Sequence, residues 1–336
     1  MKPRVPIVSV IIPTYKRPTE CVRAVRSVLL QTFQNFEIIV GDDFGSDQTE
    51  ALLLELNDPR IRYFRNGDVG GSACKNRNLC VSRSRGIYLT FLDSDDFMLP
   101  CRLEMQVAAL EGADKSVGFV IAGTRVIRVC EGKYHFCRDL IPSAEGDLRE
   151  AYFTRRLNCY NTSMMIRRSV LSAVGDWDHQ MEPYDDAELI LRLMSHTGAA
   201  RLENILTIWF DHDGECLTND REKRLTGLES FMNKHADLLE PQDSWWQPRL
   251  EKLLLLLFLS ANPAGFRRWE RRLRGKPSAR IKLLCVLIRV PLAFKVAGKL
   301  WHRWLTFRGR GAPSTPASKL VVLLPDQYRR ALAEIL

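Results

Sequence analysis

Ile87-Tyr88-Leu89-Thr90-Phe91-Leu92-Asp93-Ser94-Asp95-Asp96 joins an apolar run to three carboxylates within four positions. The run has the length and the aromatic and aliphatic content of a buried strand. In an open α/β sheet, ligands bind beyond the carboxyl ends of the strands, which is where these acids fall. Asp93 and Asp95, one residue apart at a strand terminus, can turn oxygens toward one hard divalent cation. An anionic ligand would supply further oxygens, and the cation would offset its charge. The same residues also suit a solvated turn that caps a helix opened by Pro100, so the surrounding sequence has to decide.

Toward the N-terminus the pattern repeats. Ile7 to Ile12 reads as a continuous apolar strand, and Pro18 opens a helix whose Val22, Val25, Val28 and Leu29 recur at helical spacing. A second buried strand, Phe36 to Val40, precedes a helix near Gln48 to Leu56, a short strand Ile61 to Phe64 and a helix near Ser72 to Arg83. This alternation implies an α/β fold, a parallel sheet covered by helices. Beyond Pro100 the spacing is less regular. Strands are expected near Val117 to Ala122, Arg125 to Cys130, Thr162 to Ile166 and Ile205 to Phe210, with a helix near Asp186 to Ser195. Helices near Thr218 to Leu239 and Trp245 to Ser260 follow, and Gly309 to Ser318 reads as a linker before a last short helix.

Composition bounds the function classes. With 46% hydrophobic and 26% charged residues in 336, the chain has an ordinary globular make-up, which excludes disordered and collagen-like classes. Ile7 to Ile12 is too short for a signal-peptide core or a bilayer span, so retention in the cytoplasm is expected. Nine scattered cysteines, with no Cys-x-x-Cys pair, indicate free thiols rather than a disulfide framework or a zinc site. The net charge of +9 is unevenly spread: residues 262 to 311 carry 14 Lys and Arg against the single acid Glu270, and the remainder is mildly acidic. Such asymmetry points to a polyanionic partner, nucleic acid or anionic lipid.

Five motifs occur in order: Ser9-Val10-Ile11-Ile12-Pro13-Thr14-Tyr15-Lys16-Arg17, Ser27-Val28-Leu29-Leu30-Gln31-Thr32-Phe33, Phe36-Glu37-Ile38-Ile39-Val40-Gly41-Asp42-Asp43, Gly70-Gly71 through Arg77-Asn78, and Phe91-Leu92-Asp93-Ser94-Asp95-Asp96. Together they resemble the family 2 glycosyltransferases of GT-A fold, inverting enzymes of the bacterial surface-glycan type, over about 215 residues. The resemblance implies a GT-A nucleotide-binding sheet flanked by helices, with the helical basic C-terminal region lying outside it. Expected divisions are 1–100 for the nucleotide-sugar half, 101–215 for the acceptor half, 216–260 for a helical extension and 261–336 for the basic region.

The resemblance also assigns roles that the residue chemistry permits. Pro13, Thr14, Tyr15 and Arg17 leave the first strand where a nucleoside would lie, and a tyrosine face can stack on a pyrimidine. Asp43 matches the carboxylate that accepts a hydrogen bond from uracil N3, although Phe44-Gly45-Ser46 replaces the usual turn and can reshape it. Arg77, with Asn78, matches a pair beneath the diphosphate, where a guanidinium can meet phosphate oxygens; Lys75 is a further candidate, and Ser94 falls in the donor-binding turn. Asp186, preceded by Asp185, falls at the general base that takes the acceptor proton; the alternative is that both acids complement the helix dipole. His212 falls where a histidine approaches the metal, so Asp93, Asp95 and His212 are the candidate ligands of Mn2+ or Mg2+. Trp177 and Asp178 can shape the acceptor pocket or simply pack.

Lys282 to Trp304 combines basic residues with Leu283, Phe294, Trp301 and Trp304, without a 20-residue apolar span. This composition suits a helix in the headgroup region of an anionic bilayer, or a soluble helical subdomain with a charged face. The expected activity is transfer of a sugar from a nucleoside diphosphate, with UDP favoured, to a glycan or lipid-linked acceptor at the cytoplasmic face of a membrane. A nucleic-acid-binding protein and an inactive nucleotide-sugar-binding homologue are the competing readings.

Overall fold

The computed structural model describes residues 5–45, 47–67, 71–130, 133–143, 147–153, 156–212, 220–274 and 277–288. Strands β1 (Val8–Thr14), β2 (Phe36–Asp42), β3 (Ile61–Arg65) and β4 (Tyr88–Phe91) alternate with helices α1 (Pro18–Leu29), α2 (Thr49–Leu54) and α3 (Ala73–Arg83). All four strands are parallel, in the order β3-β2-β1-β4, as the alternation predicts. β1 and β2 are buried along their whole length. That is why they read as unbroken apolar runs.

Beyond β4 the parallel expectation fails. After the short β5 (Phe97–Met98) and α4 (Arg102–Gly112) come β6 (Val117–Cys130), β7 (Lys133–Leu140), α5 (Leu148–Phe153), β8 (Met164–Arg167), α6 (Arg168–Val174), α7 (Asp185–His196) and β9 (Gly198–His212). β8 runs antiparallel to β4 and β6, β6 and β9 are parallel, and β5 and β7 add antiparallel pairs. The two strands expected at Val117 to Ala122 and Arg125 to Cys130 are one strand. They read as two because the β6–β9 register shifts around Gly123, where an added Cβ would come 2.9 Å from the Asn204 carbonyl oxygen. β7, rich in charged and polar residues, escapes an apolar pattern search. The first half of β9 escapes too, because it is only half-buried, without alternation, and held by backbone pairing to β6.

Side chains part to the two faces of the sheet. Val8, Val10 and Ile12 pack with α1 and α4, whereas Ile11, Ile39 and Phe91 belong to a core that continues through α3 and α7. That second core also takes in α8 (Arg221–Lys234), α9 (Ala236–Leu239), α10 (Asp243–Leu259), α11 (Pro263–Glu270) and α12 (Ala279–Leu287). The single helix expected from Thr218 starts instead at the Asp220 cap, whose carboxylate accepts from the Glu222 and Lys223 amides, and it ends at His235. Among the described residues no helix is long and apolar enough to cross a membrane. Trp301, Trp304, Phe294 and the Gly309 to Ser318 linker lie outside the described residues.

Candidate active site

The carboxyl ends of β1, β2 and β4, the end of β9 and the first turn of α7 meet in one cleft. Asp95 is its most heavily engaged acid. Its carboxylate is paired with Arg17, His212 Nε2 stands 2.9 Å from Oδ2, and Arg23 donates to its backbone carbonyl at 2.8 Å. Burial works to raise its pKa, but the His212 contact and the Arg17 charge outweigh it and hold the carboxyl below its usual range. Arg17, expected at the nucleotide, is thus placed on this acid.

The donors suit a divalent cation. A carboxylate and an imidazole are donor types that a manganese- or magnesium-class ion accepts, and here the two are joined by a 2.9 Å hydrogen bond. Arg17 supplies a positive charge beside this buried acid. Asp93 turns away from this pair: its Oδ1 accepts from Arg77 Nη2 at 2.9 Å. Among the described residues no three His, Cys, Asp or Glu side chains cluster as a ready-made metal site. Asp95 and His212 can therefore hold a metal whose other ligands come from Asp93, after a rotamer change, or from a bound diphosphate.

Asp96 does something the sequence did not reveal. It is buried, and it accepts from Thr162 Oγ1 at 2.9 Å and from the Phe210 amide at 3.2 Å. Burial first, then the charges of Asp95 and Asp93, push its pKa well up. By gripping Phe210 it fixes the end of β9, two residues before His212. Behind it the buried Arg102 donates to the Thr162 carbonyl and to Thr90 and Thr207 hydroxyls, and burial lowers its pKa to about 9.

Arg77, expected beneath a diphosphate, instead ties the two halves of the cleft together. Its side chain is 8% exposed; Nη1 is 3.1 Å from Asp185 Oδ2 and 3.9 Å from Asp186 Oδ1, while Nη2 holds Asp93. Burial opposes its charge, yet the three carboxylates prevail and raise its pKa. Arg77 reaches them because α3 lies tight against β2. An added Cβ on Gly41 would come 2.3 Å from both Asn76 Oδ1 and Cys80 Sγ, and Asn76 Nδ2 donates to the Gly41 carbonyl. Ser72 caps the helix, and Glu182 accepts from Ser72 Oγ and the Cys74 amide, pinning its start. Asn78 makes two hydrogen bonds to the backbone of Trp177.

Asp186 stands at the start of α7. Burial first, and then the Asp185 charge, raise its carboxyl to about 7. The side chain is 38% exposed to the cleft, where water softens that shift but keeps its direction. Its Oδ1 and the nearby Trp177 indole nitrogen are buried without hydrogen-bond partners. Trp177 itself is core, in edge contact with Phe91. Glu188, two residues on, is fully buried and bound by Arg192, Lys234 and His235, which hold its pKa down to about 2 against the cost of burial. It joins α7 to α8 and is structural, as is Asp178, which caps a short turn and pairs with Lys234.

At the other end of the cleft, Tyr15 and Phe44 meet edge to face at 5.8 Å, each about 40% exposed, with the Lys16 ammonium over both rings. The reshaped turn has thus placed a second aromatic beside Tyr15. Asp42 is structural: its oxygens take the Phe44 amide and the Tyr63 hydroxyl. Asp43 Oδ1 and Thr14 Oγ1 are buried without hydrogen-bond partners. Burial raises the Asp43 pKa, partly countered by the Gly71 amide. Pro13 is paired opposite Gly41 within the sheet, and Ser94 is buried in the acid turn. The Lys75 amide donates to the Ser72 hydroxyl that caps α3, and its charge acts on Asp43.

A twisted nucleotide-type sheet with acids at its carboxyl edge, an aromatic pair at one end and a helix-borne carboxylate at the other is the GT-A arrangement of a glycosyltransferase. Residues 9–175 match the glycosyl transferase family 2 model, and the chain belongs to that family. It is 27% identical over 255 residues, 72% of this chain and 86% of the relative, to the putative colanic acid biosynthesis glycosyl transferase WcaA of Escherichia coli K12. Over 104 residues, 31% of this chain and 41% of the relative, it is 38% identical to the Escherichia coli UDP-Glc:alpha-D-GlcNAc-diphosphoundecaprenol beta-1,3-glucosyltransferase WfgD. Solved structures share the fold. S. aureus TarS 1–349 in complex with UDP-GlcNAc has a TM-score of 0.57 at 17% identity, covering 79% of this chain and 90% of that one. The Pyrobaculum calidifontis mannosyltransferase PcManGT, in complex with GDP-Man and Mn2+, has a TM-score of 0.52 at 16% identity, covering 90% and 88%.

Proposed function

We propose that this chain is an inverting glycosyltransferase that moves a sugar from a UDP-sugar to a hydroxyl of a lipid-linked glycan acceptor, in the synthesis of a surface polysaccharide at the cytoplasmic face of a membrane. The observation that carries this reading is Arg77, which holds Asp93 of the donor-side turn and Asp185, next to Asp186, in one cleft. Tyr15 and Phe44 offer their faces to a pyrimidine, and the orphaned Asp43 Oδ1 and Thr14 Oγ1 offer polar partners to its edge. A carboxylate at Asp43 accepts from uracil N3–H, whereas cytosine N3 carries no proton to donate. Asp95 and His212, joined by Asp93, would hold Mn2+ or Mg2+, which supplies Lewis-acid charge to the leaving diphosphate.

Asp186 takes the proton of the acceptor hydroxyl while that oxygen bonds to the anomeric carbon from the face opposite the diphosphate. The bond from that carbon to the phosphate oxygen breaks, and its electron pair leaves with the nucleoside diphosphate. The relative WfgD, by its name, uses UDP-Glc and a diphosphoundecaprenol acceptor, which supports both choices of substrate class. The division into 1–100, 101–215, 216–260 and 261–336 is retained within this reading. The test is thermal stabilisation by a panel of nucleotide sugars, with and without Mn2+. UDP-sugars should stabilise the chain most, and more with Mn2+. Preference for a GDP- or CDP-sugar would overturn the base assignment, and stabilisation by none of them would overturn the enzyme reading.

A further inference from the structure

Arg23 and Ser27 lie one turn apart on α1, and Gln31 follows just past its end, so the three line one edge of the helix. Each binds the backbone of the segment that leads out of the acid turn. Arg23 Nη2 donates to the Asp95 carbonyl at 2.8 Å, Ser27 Oγ accepts from the Met98 amide at 3.1 Å, and Gln31 Nε2 donates to the Leu99 carbonyl at 2.8 Å. Gln31 Oε1 also accepts from the Leu103 amide at 3.0 Å. Through these bonds the motif from Ser27 to Phe33 braces the chain that leaves Asp95 and Asp96.

Arg23 goes further than its two neighbours, because it also reaches β9. Its guanidinium carbon lies 4.5 Å from the centre of the Phe210 ring. That ring is 2% exposed and in edge contact with Tyr134 at 5.9 Å, and the Phe210 amide donates to Asp96 at 3.2 Å. Side chains two apart on a strand project to the same face, so Phe210 stands beside His212. Arg23 therefore grips the backbone of one member of the Asp95–His212 pair and the ring next to the other. A planar guanidinium can lie over a ring and still aim an N–H at a carbonyl; a compact ammonium lacks that fork.

We propose that Arg23 is a positioning residue for the metal pair: by holding the Asp95 backbone and the Phe210 ring together, it keeps His212 opposite Asp95 so that both can ligate one divalent cation. This rests on the metal ligation in the reading above and adds to it a residue that acts through two others.

The experiment is titration of the full chain with Mn2+ in the presence of UDP, following the spin resonance of the free ion, for the parent, Arg23→Met, Arg23→Lys, Phe210→Leu and the Arg23→Met, Phe210→Leu double variant. Residues that orient metal ligands typically contribute about ten- to a hundredfold in metal affinity, and Arg23→Met should lose that much, with a smaller loss in Arg23→Lys. The double variant should lose less than the product of the two single losses, because both remove the same contact. Amide exchange without metal gives a second readout: the Phe210 amide should exchange about two- to fivefold faster in Arg23→Met than in the parent. A residue that only stabilised the fold would lower the unfolding temperature and leave the Mn2+ affinity of the folded chain unchanged. Equal Mn2+ affinity of parent and Arg23→Met, or equal exchange of the Phe210 amide, would overturn the proposal. If Arg23→Met does not fold, Arg23→Lys carries the same two comparisons. A parent that takes up no Mn2+ would strike the metal ligation in the reading above, while the exchange comparison, which needs no metal, still judges whether Arg23 holds β9 to the acid turn.

Discussion

Asp95 and Asp186 are acids tuned in opposite directions, and each yields a prediction. Asp95 is held charged by His212 and Arg17. Asp95→Asn should abolish turnover and the Mn2+-dependent part of donor binding; calorimetry with and without Mn2+ that showed an undiminished metal effect would remove Asp95 from the metal site. Asp186, with its pKa raised to about 7, must be ionised to act, so turnover should climb as pH rises through about 7. Asp186→Asn should lower kcat by roughly 10² or more with donor affinity intact, and its residual rate should lose that pH limb. The same shift has a stability sign. Because the folded state favours the protonated carboxyl, its stabilising effect is complete below the ordinary pKa of 3.8 and is lost as pH rises through about 7. Thermal unfolding should therefore show Asp186→Asn gaining on the parent between pH 5 and pH 8.

At the level of elements, the contact between α7 and α8 depends on one buried carboxylate. Glu188→Gln leaves Arg192, Lys234 and His235 facing a neutral group, and removing one partner from such a buried cluster costs about 3–5 kcal/mol. Its pKa is depressed, so this contribution is present above the ordinary 4.5 and is lost as pH falls through about 2. Denaturant titrations at pH 7 and pH 3 should show the Glu188→Gln deficit shrinking in acid. How much of this was legible follows from what each element buries. β1, β2 and β4 are buried along their length, and their apolar runs announced them; α7 announced itself by Leu189, Ile190 and Leu193 on one face. β7 and the first half of β9 are strands because their backbones pair with β6, and their side chains, mostly half-buried or exposed, carry no periodic apolar trace. The acid turn and the Asp185-Asp186 pair were visible as motifs, whereas the partners of Arg77 were not. Which carboxylates a buried guanidinium meets depends on how closely α3 approaches β2, and hence on Gly41.

Across the whole molecule, the start of the basic C-terminal region is part of the body. Phe266, Trp269, Ile281, Leu284 and Ile288 are buried in the core shared with α10, while Leu283 and Val286 are exposed, as are Arg267, Arg271 and Lys282. A chain cut after Ser260 would bare that core, so the membrane reading is better tested by substitution. Replacing Arg267, Arg271 and Lys282 by Glu should reduce co-sedimentation with anionic vesicles, since each basic side chain near such a surface contributes about 1 kcal/mol. Binding of the parent should weaken at high salt; capture by duplex DNA in preference to vesicles would favour the nucleic-acid alternative. The core that runs from Ile11 through Ile288 has a further consequence for anyone recombining this chain with its relatives. A chimera joined near Pro100, the boundary the sequence invites, would cross that core and also separate Arg77 from the Asp185 that it holds. Functional recombinants should therefore be those whose two parents match both at the α3–β2 contact and along α7, and libraries that shuffle donor and acceptor specificity should treat Gly41, Arg77 and Asp185 as one inherited unit.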